Sequence, residues 1–250
     1  MARLIEEAAH KLAGVKRLVV LTGAGISKES GIPTFREAQD GLWARYDPMM
    51  MASREGFLSD PKLVWEWYEY RFGMVESARP NPGHIAIAEL EQIIPNTAVI
   101  TQNIDGLHQA AGSRAVYELH GSIRRYKCLS GRHTGFTRAD VLAAAEKPPR
   151  CPRCGDLLRP DVVWFGEYLP EDALSTAYAL SERCGAMLVV GTSGVVQPAA
   201  SLPYVAARAG APVIDVNPER DELAEMADIF LPGPGGTVLP ALVAALRAAR

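Results

Sequence analysis

The sequence has few cysteines and little excess charge. Only 4 of its 250 residues are cysteine, too few for a secreted disulfide scaffold, and a chain of this length can bury a core without covalent staples. The net charge is -3, and the sequence carries neither the basic patches of nucleic-acid binding proteins nor an acidic tail. We therefore expect a soluble globular protein that does not bind nucleic acid.

Long apolar runs are also missing. No run approaches the roughly 20 residues that a membrane-spanning helix needs. The first twenty residues lack the continuous apolar centre of a signal peptide and instead predict an amphipathic helix. Its apolar positions are Leu4, Ile5, Ala8, Ala9 and Leu12. We expect no membrane association, a cytoplasmic location and a monomeric protein.

Six short apolar runs each end in a cluster of polar residues or glycine, with helical periodicity in most of the intervals between them. Such alternation predicts an α/β fold with a doubly wound, Rossmann-like parallel sheet. Ligands bind outside the carboxyl ends of such strands, so the clusters are expected to form one site, although any single cluster could serve only as a turn. The runs are Arg17–Thr22, Ala98–Thr101, Val116–Leu119, Ala186–Val190, Pro212–Val216 and Ile229–Leu231.

Two segments interrupt this alternation. Residues 40–80 are rich in Trp, Tyr and Met, and residues 124–160 hold three of the four cysteines. We expect these insertions to form a smaller second domain, partly helical and partly a zinc knuckle. Residues 1–39, 81–123 and 161–250 would then form the larger domain around the parallel sheet.

The first cluster, Gly23-Ala24-Gly25, follows a predicted strand and precedes a helix. Backbone amides at such a helix start can bind a pyrophosphate, and glycine permits close approach. The usual dinucleotide fingerprint has Gly or Ala at its sixth position, where this chain has Lys28. A hydride-transfer enzyme is therefore disfavoured.

The fourteen residues from Gly23 to Arg36, GAGISKESGIPTFR, closely resemble the signature loop of the sirtuins. Three further elements stand in the family's order, and the likeness runs from about Val15 to Val243. These elements are Thr101–Asp105, His120–Gly121, and Gly191–Ser193 followed by Asn217–Pro218. The resemblance implies a Rossmann-like enzyme that consumes NAD to deacylate protein lysines.

The resemblance also implies how NAD is bound as a co-substrate. The glycine loop and the cluster after the fourth run would lie near the phosphates, and Phe35 and Arg36 would belong to a mobile lid. The cluster after the second run would surround the nicotinamide ribose. The expected NAD-binding residues are Gly23, Ala24, Gly25, Phe35, Arg36, Gln102, Asn103, Ile104, Asp105, Gly191, Thr192, Ser193, Asn217, Pro218, Glu219 and Gly235.

His120 and Asn103 are the expected catalytic residues. A lone histidine after a strand is usually structural, but His120 ends a strand at the expected ligand-binding edge and is followed by Gly121. By resemblance, the acyl oxygen attacks the nicotinamide ribose, and His120 deprotonates a ribose hydroxyl. Two alternatives are a sirtuin-like protein ADP-ribosyltransferase and a non-catalytic NAD-binding module.

Further residues suggest which substrates are used. Tyr68 and Arg71 lie three apart on a predicted helix and resemble the Tyr-x-x-Arg pair of sirtuins that remove succinyl and malonyl groups. Ala52 is small where the acyl pocket wall is expected. By resemblance, an acyl-lysine peptide pairs with the segment that includes Val162, Val163, Phe165 and Gly166.

The family's zinc site uses two Cys-x-x-Cys pairs, and this chain has one of them. Cys151 and Cys154 form the intact pair, whereas Cys128 is followed three residues later by Gly131. Structural zinc is almost always four-coordinate. The expected ligands are therefore Cys128, Cys151 and Cys154, and either His133, the nearest candidate, completes the site or zinc is held weakly or not at all.

Overall fold

A computed structural model of the chain describes residues 1–34 and 47–250. All six predicted runs form strands of one parallel sheet, which confirms the predicted fold class. A second sheet contains two antiparallel strands. In chain order the strands are β1 (Leu18–Thr22), β2 (Ala98–Thr101), β3 (Val116–Glu118), β4 (Gly121–Cys128), β5 (Leu158–Val162), β6 (Ala186–Val190), β7 (Val213–Asn217) and β8 (Ile229–Pro232).

The large sheet has the strand order β3-β2-β1-β6-β7-β8. The first three strands extend the sheet to one side of β1 and the last three extend it to the other side. The two central strands, β1 and β6, are buried at every position and apolar at all but Thr22, because helices cover both faces. The helices are α1 (Ala2–Ala13), α2 (Pro48–Met51), α3 (Arg54–Ser59), α4 (Pro61–Ser77), α5 (Pro82–Ile93), α6 (Leu107–Ala110), α7 (Arg138–Ala143), α8 (Glu171–Arg183), α9 (Leu202–Arg208), α10 (Glu222–Met226) and α11 (Gly235–Ala248). Short 3-10 helices cover Ala24–Ser30 and Ala199–Ser201.

Each face of the sheet carries its own apolar cluster. Helices α1, α5 and α11 pack on one face, where Leu12, Leu90 and Leu242 are fully buried. Helices α8 and α9 cover the other face with Ala177 and Leu202. The predicted amphipathic helix at the start of the chain is confirmed. Its apolar stripe packs into the first of these clusters.

The two inserted segments share apolar clusters of their own. One cluster joins α4 residues such as Tyr68 to Ile123 of β4 and to Trp164 just beyond β5. Another joins Trp65 of α4 to Tyr126 of β4. This shared burial supports the proposal that the two insertions form one small domain. Within residues 1–34 and 47–250, no helix is long and apolar enough to cross a membrane.

Candidate active site

The loops that follow the central strands meet at the carboxyl edge of the sheet. The Gly23 amide after β1 donates to the Val190 carbonyl of β6 at 3.1 Å. The Gln102 amide group after β2 donates to the Thr192 hydroxyl after β6 at 2.9 Å. Parallel strands bring their carboxyl ends to one edge, and this arrangement joins three of the predicted clusters.

Gly25 lies where two of these loops cross. Its amide donates to the Gly191 carbonyl at 2.8 Å, and a Cβ on Gly25 would lie 2.7 Å from that same oxygen. A side chain would therefore push the loops apart. The amides of Gly23 and Gly25 are both bonded inside the protein, so the close packing of the loops is the direct reason for glycine here.

Asn103 and Asp105 are buried beside the glycine loop. The Asn103 amide group donates to the Gly23 carbonyl at 3.1 Å and to the Ser27 hydroxyl at 3.2 Å. Ser27 in turn donates to the Asp105 carboxylate at 2.8 Å. Burial raises the pKa of Asp105, although hydrogen bonds from Leu107 and Ser27 oppose the rise. Ser27 lies inside the glycine loop, but no pattern in the sequence marked it as a site residue.

Two buried histidines lie beside this cluster. The His84 ring lies 3.5 Å from the Ser27 hydroxyl, and the His108 ring lies 2.9 Å from the Thr22 hydroxyl. Their ring centroids are 4.9 Å apart. Burial lowers the pKa of His84 to about 4 and that of His108 to about 3, so both are neutral at pH 7. The sequence showed them only as residues of helical segments.

His120 follows β3 at the same edge. Its Nδ1 lies 2.9 Å from the Gln102 carbonyl oxygen. Because a carbonyl only accepts hydrogen bonds, Nδ1 must carry the proton, which leaves Nε2 as an unprotonated base. Burial lowers the pKa of His120, and the bond to Gln102 opposes this shift. At neutral pH the side chain can therefore accept a proton.

Gly121, directly after this base, permits the local chain path. It adopts a φ of +75°, and a Cβ there would lie 2.1 Å from the Asp161 carbonyl oxygen. Only glycine fits that approach. The residue therefore lets β4 start immediately beside His120 and pair with β5.

The loops after β7 and β8 complete the edge on the far side of β6. The Asn217 amide group donates to the Thr192 carbonyl at 3.1 Å, which joins the β7 loop to the β6 loop. Gly235 is buried at the start of α11, where a Cβ would lie 3.2 Å from the Val190 side chain. The other predicted NAD-binding positions lie on the loops after β1, β2, β6 and β7. Ala24, Ile104 and Ser193 are partly buried, and Pro218 and Glu219 are exposed. Phe35 and Arg36 lie outside the described residues.

Helix α4 carries the predicted acyl-binding pair. Asp60 caps the helix by accepting a bond from the Leu63 amide, and Pro61 occupies its first turn. Tyr68 is 4 % exposed and lies in one apolar cluster with Ala52 and Trp164. The partly buried Ile104, which follows β2, packs against the same cluster. This cluster therefore adjoins the loop that holds Asn103 and Asp105.

Arg71 lies one turn after Tyr68. Its guanidinium stands 4.9 Å from the centre of the Trp67 ring. Burial lowers the pKa of Arg71 and raises that of Tyr68, and the charge of each side chain opposes the shift of the other. The pair therefore presents a guanidinium and a neutral phenol beside the apolar cluster.

The predicted peptide-binding segment runs from β5 into the following turn. The Val163 amide donates to the His120 carbonyl at 3.0 Å, and the Phe165 amide donates to the Ala52 carbonyl at 2.8 Å. Gly166 turns the chain with a φ of +83°. Val162 is buried and Phe165 is 47 % exposed. The amides of Val163 and Phe165 are therefore already bonded inside the protein.

The predicted metal ligands lie together, with His133 among them. One ligand atom from each of Cys128, His133, Cys151 and Cys154 lies within 4.8 Å of the others. His133 Nδ1 is 3.3 Å from Cys154 Sγ, 3.5 Å from Cys151 Sγ and 3.9 Å from Cys128 Sγ. Zinc bonds of ~2.3 Å to sulfur and ~2.1 Å to nitrogen require a tetrahedral nitrogen–sulfur separation of about 3.6 Å. The donor set therefore fits zinc.

A tight loop brings His133 into this cluster. The Gly131 amide bonds to the Cys128 carbonyl at 2.8 Å, with Gly131 at a φ of +73°. The His133 amide then donates to Cys128 Sγ at 3.2 Å. Burial alone would raise the pKa of the Cys128 thiol, but hydrogen bonds from Ser130 and this amide outweigh it and lower the pKa. The loop favours the thiolate that a metal binds.

The chain is similar to known proteins over nearly its whole length. The family model described as Sir2 family matches residues 23–198. An NAD-dependent protein deacylase of Pyrococcus furiosus is 49% identical over 247 residues, which are 98% of this chain and 98% of that protein. A solved Sir2 homologue in complex with NAD has a TM-score of 0.90 and 46% identity, covering 98% of this chain and 94% of that chain. The structure of Sir2Af2 bound to a myristoylated histone peptide has a TM-score of 0.80 and 40% identity, covering 99% of this chain and 98% of that chain. With a family model that matches residues 23–198 and a relative 49% identical over 98% of its length, the chain belongs to the Sir2 family, the sirtuins.

Proposed function

We propose that this chain is an NAD-dependent protein lysine deacylase that transfers the acyl group to ADP-ribose and releases nicotinamide. The observation that carries the proposal is the state of His120. Its Nδ1 bonds to Gln102, and its unprotonated Nε2 is left at the edge where the predicted NAD loops meet. Family membership and the likeness to the Pyrococcus furiosus deacylase support NAD as the co-substrate.

His120, Asn103 and Asp105 have separate roles in the proposed reaction. His120 accepts the proton of a ribose hydroxyl at Nε2, which makes that oxygen a nucleophile. Asn103 is held by Gly23 and Ser27 and positions the ribose or a water molecule. Asp105 is held by Ser27 and the Leu107 amide and accepts from the nicotinamide carboxamide. These fixed donors and acceptors orient the reacting groups before the reaction begins.

The acyl groups removed include the acidic succinyl and malonyl groups. Arg71 supplies a forked cation and Tyr68 a hydroxyl at the border of an apolar cluster. No salt bridge of Arg71 to an acidic side chain occurs within residues 1–34 and 47–250, so its charge is suited to pairing with an acyl carboxylate. A second candidate substrate class is lysine that carries a long apolar acyl group, because the similar protein Sir2Af2 is bound to a myristoylated histone peptide.

The cysteine cluster holds a structural zinc through three thiolates and His133. These residues fix the loop after β4 against the Cys151–Cys154 turn, and the metal supplies only cross-links there. The cluster lies with Tyr126 and Trp65 in the small-domain core. Its role is therefore to stabilise that domain and not to take part in the reaction.

A product assay tests the function. One peptide is prepared with acetyl-, succinyl- or malonyl-lysine and incubated with and without NAD, and the products are identified by mass spectrometry. A deacylase gives free lysine, nicotinamide and an acylated ADP-ribose, only when NAD is present. A peptide that gains ADP-ribose would show an ADP-ribosyltransferase, and NAD binding without nicotinamide release would show a non-catalytic module.

A further inference from the structure

Trp164 contacts the hydroxyl of Tyr68 from across the small domain. Its indole nitrogen donates to that oxygen at 2.8 Å, and the two residues are 96 positions apart in the chain. Both side chains are almost fully buried, at 2 % and 4 % exposure. Their ring centroids are 6.4 Å apart. The hydrogen bond therefore lies in a dry environment, where its direction is well defined.

This bond determines what the Tyr68 hydroxyl can do. A tryptophan nitrogen only donates, so the phenol oxygen must accept, and its single proton must point elsewhere. Arg71 cannot receive that proton because a guanidinium has no acceptor. Within residues 1–34 and 47–250 the structure shows no second hydrogen bond of this hydroxyl. The phenol is thus left as a donor next to a cation, an arrangement suited to a carboxylate.

Trp164 itself is fixed from three sides. The Arg159 guanidinium is buried 3.3 Å from the centre of its ring, and Phe57 packs against the ring at 5.3 Å. The Trp164 amide donates to the Glu167 carboxylate at 3.0 Å, and Glu167 also pairs with Arg159 at 2.5 Å. If the indole turned to another partner, it would lose its contacts with the Arg159 guanidinium and the Phe57 ring.

We propose that Trp164 is a positioning residue for the recognition of acidic acyl groups. Its indole N–H occupies an acceptor site of the Tyr68 oxygen and so directs the phenol proton toward the acyl carboxylate beside Arg71. The inference rests on the proposed preference for acidic acyl groups. It adds a specificity-determining contact outside the Tyr68–Arg71 pair, made by a residue of the peptide-binding segment.

The test compares Trp164→Phe with the unmodified chain. Kinetics are measured at saturating NAD on one peptide carrying either succinyl- or acetyl-lysine. Loss of the orienting bond should raise KM for the succinyl peptide about three- to tenfold relative to the acetyl peptide, the range set by one neutral hydrogen bond. Trp65→Phe is the matched control, because it removes another buried indole of the small domain, one that packs against Tyr126 and not Tyr68, and the KM ratio should stay unchanged.

A double variant separates orientation from packing. In a Tyr68→Phe background, adding Trp164→Phe should leave the KM ratio unchanged, because there is no phenol proton left to orient. A further loss of the same size in that background would overturn the inference. If Trp164→Phe leaves the KM ratio unchanged while Arg71→Met lowers the preference for succinyl-lysine, the role of Trp164 is overturned and the proposed acyl preference is not. A wild-type chain inactive on succinyl-lysine would instead overturn the proposed acyl preference, and the inference with it.

Discussion

Asp215 is a buried acid from which a large pH effect on stability is expected. It lies in β7 and is 0 % exposed, and neither carboxylate oxygen has a hydrogen-bond partner within residues 1–34 and 47–250. Burial, with a smaller contribution from Asp221, raises the pKa of Asp215 from 3.8 to about 7. The folded protein therefore holds this carboxyl group protonated at a pH where the unfolded chain ionises it.

The sign of the effect follows from that rise in pKa. The full stability is present below the unfolded pKa near 4 and is lost as the pH rises through 7. Each pH unit between the two pKa values is worth ~1.4 kcal/mol, so the loss reaches at most about 4 kcal/mol at pH 8. Asp215→Asn stays neutral throughout, and its free energy of unfolding should lose this pH dependence.

Urea unfolding between pH 5 and pH 8 measures the difference. The unmodified chain should lose about 3 kcal/mol more than Asp215→Asn over this range, because only the two pH units between 5 and the folded pKa of about 7 contribute. Asp172→Asn, an exposed acid in the first turn of α8, is the control and should follow the unmodified chain. An Asp215→Asn variant with the same pH dependence as the unmodified chain would refute the assignment of a protonated carboxyl group.

Four further predictions concern the site and the cysteine cluster. His120→Ala should abolish deacylation while NAD affinity, measured by calorimetry, stays within about a few-fold, because the ring transfers a proton and does not bind the cofactor. In the unmodified chain, burial lowers the pKa of His120 below its usual 6.5, so the fall of kcat/KM toward acid pH should have its midpoint below that value. Arg71→Met should lower the succinyl-to-acetyl ratio of kcat/KM about ten- to a hundredfold, the loss of a charge-assisted hydrogen bond, and equal falls in both activities would make Arg71 structural. Elemental analysis should find one zinc per chain, and His133→Ala should lose it to a chelator much faster; a metal-free chain from zinc-replete cells would contradict the four-ligand site.

The strands and the edge where the site lies could be predicted from the sequence, because both depend on local patterns. Each apolar run shows its character within three to six residues, and each polar cluster follows its strand directly. The parallel sheet then brings the clusters together. The position of His120 needed no contact information beyond this rule.

The contacts between distant segments could not be predicted. Trp164 meets Tyr68 across 96 residues, and Ser27 meets Asp105 across 78. No spacing rule relates residues so far apart, and only the packing of the insertions against the sheet brings them together. His133 was harder to assign for a different reason. It stands five residues after Cys128, and only the tight turn at Gly131 shows that its ring reaches the other thiols.

The most direct test of the central claim is a balance of products on an acyl-lysine peptide with the purified chain. For each lysine freed we expect one nicotinamide and one acylated ADP-ribose, and we expect His120→Ala to form neither free lysine nor acylated ADP-ribose. Free lysine without NAD consumption, or a peptide that carries ADP-ribose in place of its acyl group, would contradict it.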